Sequence, residues 1–168
     1  MRYNVGMKKD SAALVQELAD RLLKQRHKVC TAESCTGGLI AKTFTDLAGS
    51  SDWLDRGFVT YSNEAKSEML DVPVSLIEDY GAVSEAVVRA MAEGAIHQGG
   101  ADVAVSVSGI AGPDGGTDDK PVGTVWFAWA LLDDNGLRSH SSVHLFSGDR
   151  EAIRRQSVIV ALEGLLDL

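Results

Sequence analysis

The stretch Ala101 to Ser108, Ala-Asp-Val-Ala-Val-Ser-Val-Ser, alternates small with β-branched residues and carries no charge after Asp102. A strand of that kind turns no side to water, so it belongs inside a sheet that other elements cover on both faces. The covering elements are helices. An apolar stripe of Leu14, Leu18 and Leu22 predicts a helix over Ser11 to Arg26, because three- and four-residue spacing brings these side chains onto one face. Lys28 to Ala32 reads as a strand, Thr36-Gly37-Gly38 as a turn and Leu39 to Leu47 as a helix. Gly57 to Tyr61 reads as a second strand, followed by a helix over Asn63 to Leu70 that Pro73 stops. Ser84 is placed to cap a helix over Glu85 to Gln98, which Gly99-Gly100 ends.

After the buried strand, Gly109 to Pro121 holds four glycines and two prolines. It is too rich in breakers to be helix or strand, and a loop of this length inside a compact domain is usually functional. Val122 to Leu132 and Ser141 to Phe146 predict two strands joined by an Asp133-Asp134-Asn135-Gly136 turn, and Asp149 caps a last helix. The order of elements gives an α/β fold with a mixed sheet, an antiparallel hairpin within it and helices on both sides.

A chain of 168 residues with 45% hydrophobic residues is the size of one domain. Residues 1–10 are expected to be a flexible lead-in, and 11–168 the domain itself. A net charge of -8 argues against general nucleic-acid binding, which needs clustered cations to neutralise phosphates. Cys30 and Cys35 are the two cysteines, too few for a disulfide scaffold, and no apolar run is long enough to span a bilayer. A cytoplasmic protein without a membrane segment is expected. Asp114, Asp118 and Asp119 lack the spacing of a calcium loop and have no His or Cys beside them, so no metal is expected.

Chemistry concentrates at three places. In Glu33-Ser34-Cys35-Thr36-Gly37-Gly38 a serine hydroxyl sits between a strand and a helix, where free backbone N–H groups and the helix dipole favour an oxyanion. Ser34 as nucleophile and Ser34 as plain helix cap both fit. Cys35 is a rival nucleophile, because a thiolate is favoured at a helix N-terminus. A serine nucleophile needs a base, yet His27, His97, His140 and His144 lie outside every Gly-rich turn. Lys66 near the start of its predicted helix is the alternative, provided that burial strips its charge, and Tyr61 just before that helix can relay a proton or fix the lysine. The glycines after Ser108 let backbone amides approach a phosphate or ribose, and Arg150, Arg154 or Arg155 can pair with a phosphate.

Four segments together resemble the CinA C-terminal domain family, the nicotinamide-nucleotide amidases: Ala32 to Gly38, Gly57 to Lys66, Ser108 to Gly116 and Lys120 to Val125. The resemblance runs from about Ser11 to the end. It implies a three-layer α/β/α sandwich that hydrolyses nicotinamide mononucleotide to nicotinate mononucleotide and ammonia without a cofactor, and homodimers are common in the family. By this likeness Ser34 attacks the carboxamide, Lys66 takes its proton and Tyr61 assists. Thr36, Gly37, Gly38, Asn63, Ser108, Gly109, Gly112 and Arg150 are then expected around the substrate, with Arg150 on the phosphate. A ligand-binding module without catalysis, and a Ser/Lys hydrolase for another amide, are the alternatives.

Overall fold

The computed structural model describes residues 10–168, so the expected lead-in at 1–9 lies outside the described residues. Asp10 is within them and caps the first helix, accepting from the amide of Ala12. Six helices and five strands follow: α1 (Ser11–Gln25), β1 (Val29–Glu33), α2 (Leu39–Thr45), β2 (Leu54–Val59), α3 (Asn63–Leu70), α4 (Val74–Tyr80), α5 (Glu85–Gln98), β3 (Val103–Gly109), β4 (Thr124–Asp133), β5 (Gly136–Leu145) and α6 (Arg150–Leu166). The sheet order is β2-β1-β3-β4-β5. β1 runs parallel to both β2 and β3, while β4 is antiparallel to β3 and β5 to β4.

The charge-free strand is β3, buried along all but its last residue at the middle of the sheet. Its side chains alternate between two cores. Val103, Val105 and Val107 join a cluster with Leu14 and Leu18 of α1, Phe44 of α2 and Ile153 and Leu162 of α6. Ala104, on the opposite face, joins Leu70 of α3 and Val87, Val88 and Met91 of α5. The result is the three-layer α/β/α sandwich with a mixed sheet that the resemblance implied. Trp129 on β4 ties its layer down, donating from Nε1 to the Ala161 carbonyl at 3.0 Å.

Three elements differ from the sequence reading. The strand expected at Ser141 to Phe146 begins at Gly136 and ends at Leu145, because its first half is an edge segment of alternating exposed residues. The strand expected at Gly57 to Tyr61 begins at Leu54 and ends at Val59, because β2 is an edge strand whose half-exposed side chains leave little pattern to read. Beyond Pro73 the chain re-enters a helix, α4, with Pro73 as its N-cap residue. α4 is only seven residues long and fully buries none of them, Leu76 and Ile77 packing partly on the core, so its apolar pattern is too short to stand out.

Candidate active site

The site forms where the carboxyl ends of the parallel strands β1 and β3 meet the start of α3, the region where open α/β sheets leave a crevice. Ser34 is the first residue after β1. Its amide donates to the Val107 carbonyl of β3 at 3.0 Å, and the Gly37 amide returns to the Ser34 carbonyl at 3.0 Å. Gly37 and Gly38 both take positive φ, 59° and 99°, a backbone region that favours glycine and that turns the chain from strand into α2.

Lys66 comes from the opposite side. Ser62 caps α3, its hydroxyl accepting from the Ala65 amide at 3.0 Å, and the helix turns Lys66 and Leu70 inward together. This is the i, i+4 spacing of an inner face, so the lysine occupies an apolar-stripe position. Lys66 is 0% exposed. Its Nζ lies 3.1 Å from Ser34 Oγ, 2.9 Å from the Thr60 carbonyl, 3.1 Å from that of Tyr61 and 3.4 Å from that of Ser62. Burial pushes the ammonium below its ordinary pKa, opposed by acidic neighbours such as Glu64. In this arrangement Nζ donates to Ser34 Oγ and to the surrounding carbonyls. On losing a proton the amine keeps two N–H donors for the carbonyls and gains a lone pair that can accept the serine proton.

The end of β2 at Val59 explains the cradle. Thr60, Tyr61 and Ser62 lie outside the strand, so their carbonyls are free to turn toward the lysine. Tyr61 therefore meets the pair through its backbone, its carbonyl also lying 3.5 Å from Ser34 Oγ. Its side chain is 61% exposed and its phenol oxygen lies 3.4 Å from Arg150 Nη2.

A cavity of about 230 Å³ opens beside Ser34 and Lys66, lined also by Tyr61, Asn63, Ser108, Gly109 and Arg150. Arg150 is held by donation from Nη1 to the Gly112 carbonyl at 2.7 Å. Ala82 and Val83, between α4 and α5, and Ala111 add an apolar wall. The sequence reading missed this wall because nothing in small apolar loop residues marks them. A larger hollow of about 880 Å³ between α1, α2 and α6 mixes apolar residues such as Leu39, Phe146 and Ile159 with polar ones such as Arg155, Gln156 and Glu163, and does not include Lys66.

Four expected substrate contacts lie outside the cavity lining. Thr36 is fully buried and donates its hydroxyl to Glu33 Oε1 at 2.7 Å. Gly37 and Gly38 form the turn beneath Arg154 and Val59. Gly112 supports Arg150 through its carbonyl rather than facing the cavity. The helix N-terminus is also not a free anion site, since the amides of Ile40 and Ala41 in the first turn of α2 are taken by the Glu33 carboxylate, at 2.8 and 3.0 Å. Cys35 is buried, and desolvation pushes its thiol up to about 12. That removes the basis for a reactive thiolate. Sequence reasoning passed over Glu33 itself, whose only signal is an acid at the end of an apolar strand. Among the described residues there is no cluster of three or more His, Cys, Asp or Glu that could hold a metal.

Comparison with known proteins adds to this geometry. The family model described as the CinA C-terminal domain matches residues 11–168. A protein of Enterobacter agglomerans named nicotinamide-nucleotide amidohydrolase PncC is 62% identical over 138 residues, 82% of each chain. One of the same name from Escherichia coli K12 is 53% identical over 152 residues, 90% of each chain. Among solved structures, the competence/damage inducible protein CihA of Agrobacterium tumefaciens superposes with a TM-score of 0.88 at 41% identity, covering 99% of this chain and 98% of that one. A CinA-superfamily protein of Escherichia coli superposes with a TM-score of 0.90 at 36% identity, covering 98% and 93%.

Proposed function

The chain belongs to the CinA C-terminal domain family, and from that premise we propose that it is a nicotinamide-nucleotide amidohydrolase, converting nicotinamide mononucleotide and water to nicotinate mononucleotide and ammonia. One observation carries the mechanism: the buried Lys66 Nζ lies 3.1 Å from Ser34 Oγ. Neutral Lys66 takes the serine proton as Oγ attacks the carboxamide carbon. The amide of Cys35, which lines the cavity next to the committed amide of Ser34, stabilises the oxyanion. The lysine ammonium then protonates the departing nitrogen, which leaves as ammonia. Water, deprotonated by Lys66, attacks the acyl carbon; the C–Oγ bond breaks, Lys66 returns the proton to Ser34 Oγ, and the product leaves as the carboxylate.

Binding follows from the cavity walls. Arg150 is the cation on the phosphate side, while Ala82, Val83 and Ala111 offer an apolar face to the flat pyridine ring. Tyr61 serves through its carbonyl at the lysine and its phenol at Arg150. Asn63, Ser108 and Gly109 supply polar contacts for the carboxamide and ribose. No described helix is long and apolar enough to cross a membrane, and both cysteines are free thiols, which fits a reducing cytoplasm. A homodimer is the assembly we propose, checked by sedimentation.

The test is a comparison of ammonia release from nicotinamide mononucleotide and from nicotinamide. Binding energy from the ribose phosphate is available only to the nucleotide, so kcat/KM should be at least ~100-fold higher on it. Equal efficiency on the two would point to another amide, and tight binding without ammonia release to a ligand-binding module.

A further inference from the structure

Glu33 ends β1 next to the nucleophile, yet it is 0% exposed and absent from the cavity lining. Four donors converge on its carboxylate. Thr36 Oγ1 and the Ile40 amide reach one oxygen at 2.7 and 2.8 Å, and the Ala41 amide and Thr31 Oγ1 reach the other at 3.0 and 3.2 Å. A carboxylate presents about four lone-pair sites and no donor, so the match is complete. A buried carboxyl group is costly unless it is satisfied in this way.

The backbone of the same residue extends the connection. The Glu33 carbonyl accepts from the Thr60 amide at 2.9 Å, and the Thr60 carbonyl accepts from Lys66 Nζ at 2.9 Å. The seating of α2 on the sheet is also tight. A Cβ on Gly57 would meet Thr31 Oγ1 at 2.9 Å and Ala41 Cβ at 3.0 Å.

We propose that Glu33 is a positioning residue for the reaction, fixing the Ser34 turn against α2 on one side and the lysine cradle on the other. The proposal rests on the Ser34 and Lys66 reading above. It predicts that the cost of losing the carboxylate falls on the chemical step. Gln in place of Glu33 would keep the volume but set its NH2 against a donor amide or hydroxyl, and the turn would shift. A misplacement of about 1 Å at a reacting group costs on the order of 100-fold in rate.

The experiment measures kcat and KM for ammonia release from nicotinamide mononucleotide in wild type, Glu33→Gln and Thr31→Val, with folding followed by circular dichroism and the Ser34 Oγ to Lys66 Nζ distance by crystallography. The expected result is a folded Glu33→Gln protein with KM within about twofold of wild type, kcat lower by about tenfold or more, and the Ser34 to Lys66 contact lengthened. Thr31→Val, which removes one of the four donors, should shift kcat in the same direction by less. A folded Glu33→Gln protein with wild-type kcat, or a loss fully restored by stabilising osmolyte, overturns the proposal. If Glu33→Gln does not fold, an unchanged kcat in Thr31→Val overturns it and a lowered kcat at unchanged KM supports it. If wild type releases no ammonia, the amidase reading fails, and the positioning proposal is then decided by whether the Ser34 to Lys66 distance changes in the variants.

Discussion

Gly94 in α5 lies so close to Leu70 at the end of α3 that a Cβ on it would come within 2.0 Å of the Leu70 carbonyl oxygen. The helix that carries Lys66 is thus docked backbone to backbone on α5, and the depth of that docking sets where the lysine sits. Gly94→Ala should destabilise the fold by roughly 2 kcal/mol or more through overpacking, despite the better helix propensity of Ala. Denaturant titration checks this, and a midpoint at or above that of wild type would contradict it.

The relation between Gly94 and Leu70 is invisible in sequence, whereas the capping residues around it are plain. Ser62, Ser84 and Asp149 each accept from an amide of the helix they precede, and helices α3 and α5 run over the residues that spacing predicts. Caps and stripes are local, so they can be read locally. β2 is displaced because an edge strand has a weak burial pattern, and α4 escapes because it is short and buries Leu76 and Ile77 only in part. The nucleophile and base segments were legible as motifs. What ties them together was not, since it runs from the Glu33 carbonyl to the Thr60 amide and from the Thr60 carbonyl to Lys66 Nζ, contacts between segments far apart in the chain.

The proton affinity of Lys66 gives a signed pH dependence. Burial lowers its pKa from the ordinary 10.5, and only the neutral amine accepts a proton. The rate should therefore rise with pH along a limb whose midpoint lies below 10.5. Stability moves the same way: between the lowered folded value and the unfolded value the unfolded chain binds more protons, so the folded state gains as pH rises. Wild type should thus gain stability relative to Lys66→Met as pH climbs toward 10.5. A difference that shrinks with rising pH would contradict the assignment.

Cys35 lines the cavity but is held as a thiol, its pKa raised to about 12 by burial. Cys35→Ala should keep kcat within about fivefold of wild type and cost about 1 kcal/mol of stability for the small void. Iodoacetamide should label the native chain slowly and the unfolded chain fast. Rapid native labelling with loss of activity would return Cys35 to the list of nucleophiles.

Arg150 is oriented by the Gly112 carbonyl and lies beside the Tyr61 phenol. Arg150→Ala should raise KM for nicotinamide mononucleotide by tenfold or more, about the worth of one charge-assisted contact of 1.5–3 kcal/mol. The same change should matter little for nicotinamide riboside, which has no phosphate. Tyr61→Phe leaves the backbone carbonyl at Lys66 in place, so its effect should fall on KM. Equal losses on both substrates in Arg150→Ala would place the phosphate elsewhere.

The central claim is that Ser34 and Lys66 form the reacting pair of an amidase for nicotinamide mononucleotide. Its most direct test is the rate of ammonia release from that nucleotide by wild type, Ser34→Ala and Lys66→Met, each verified as folded. The account predicts one nicotinate mononucleotide per ammonia from wild type and losses of about 10²- to 10⁴-fold or more in both variants. A folded wild type that releases no ammonia, or either variant keeping wild-type turnover, would contradict it.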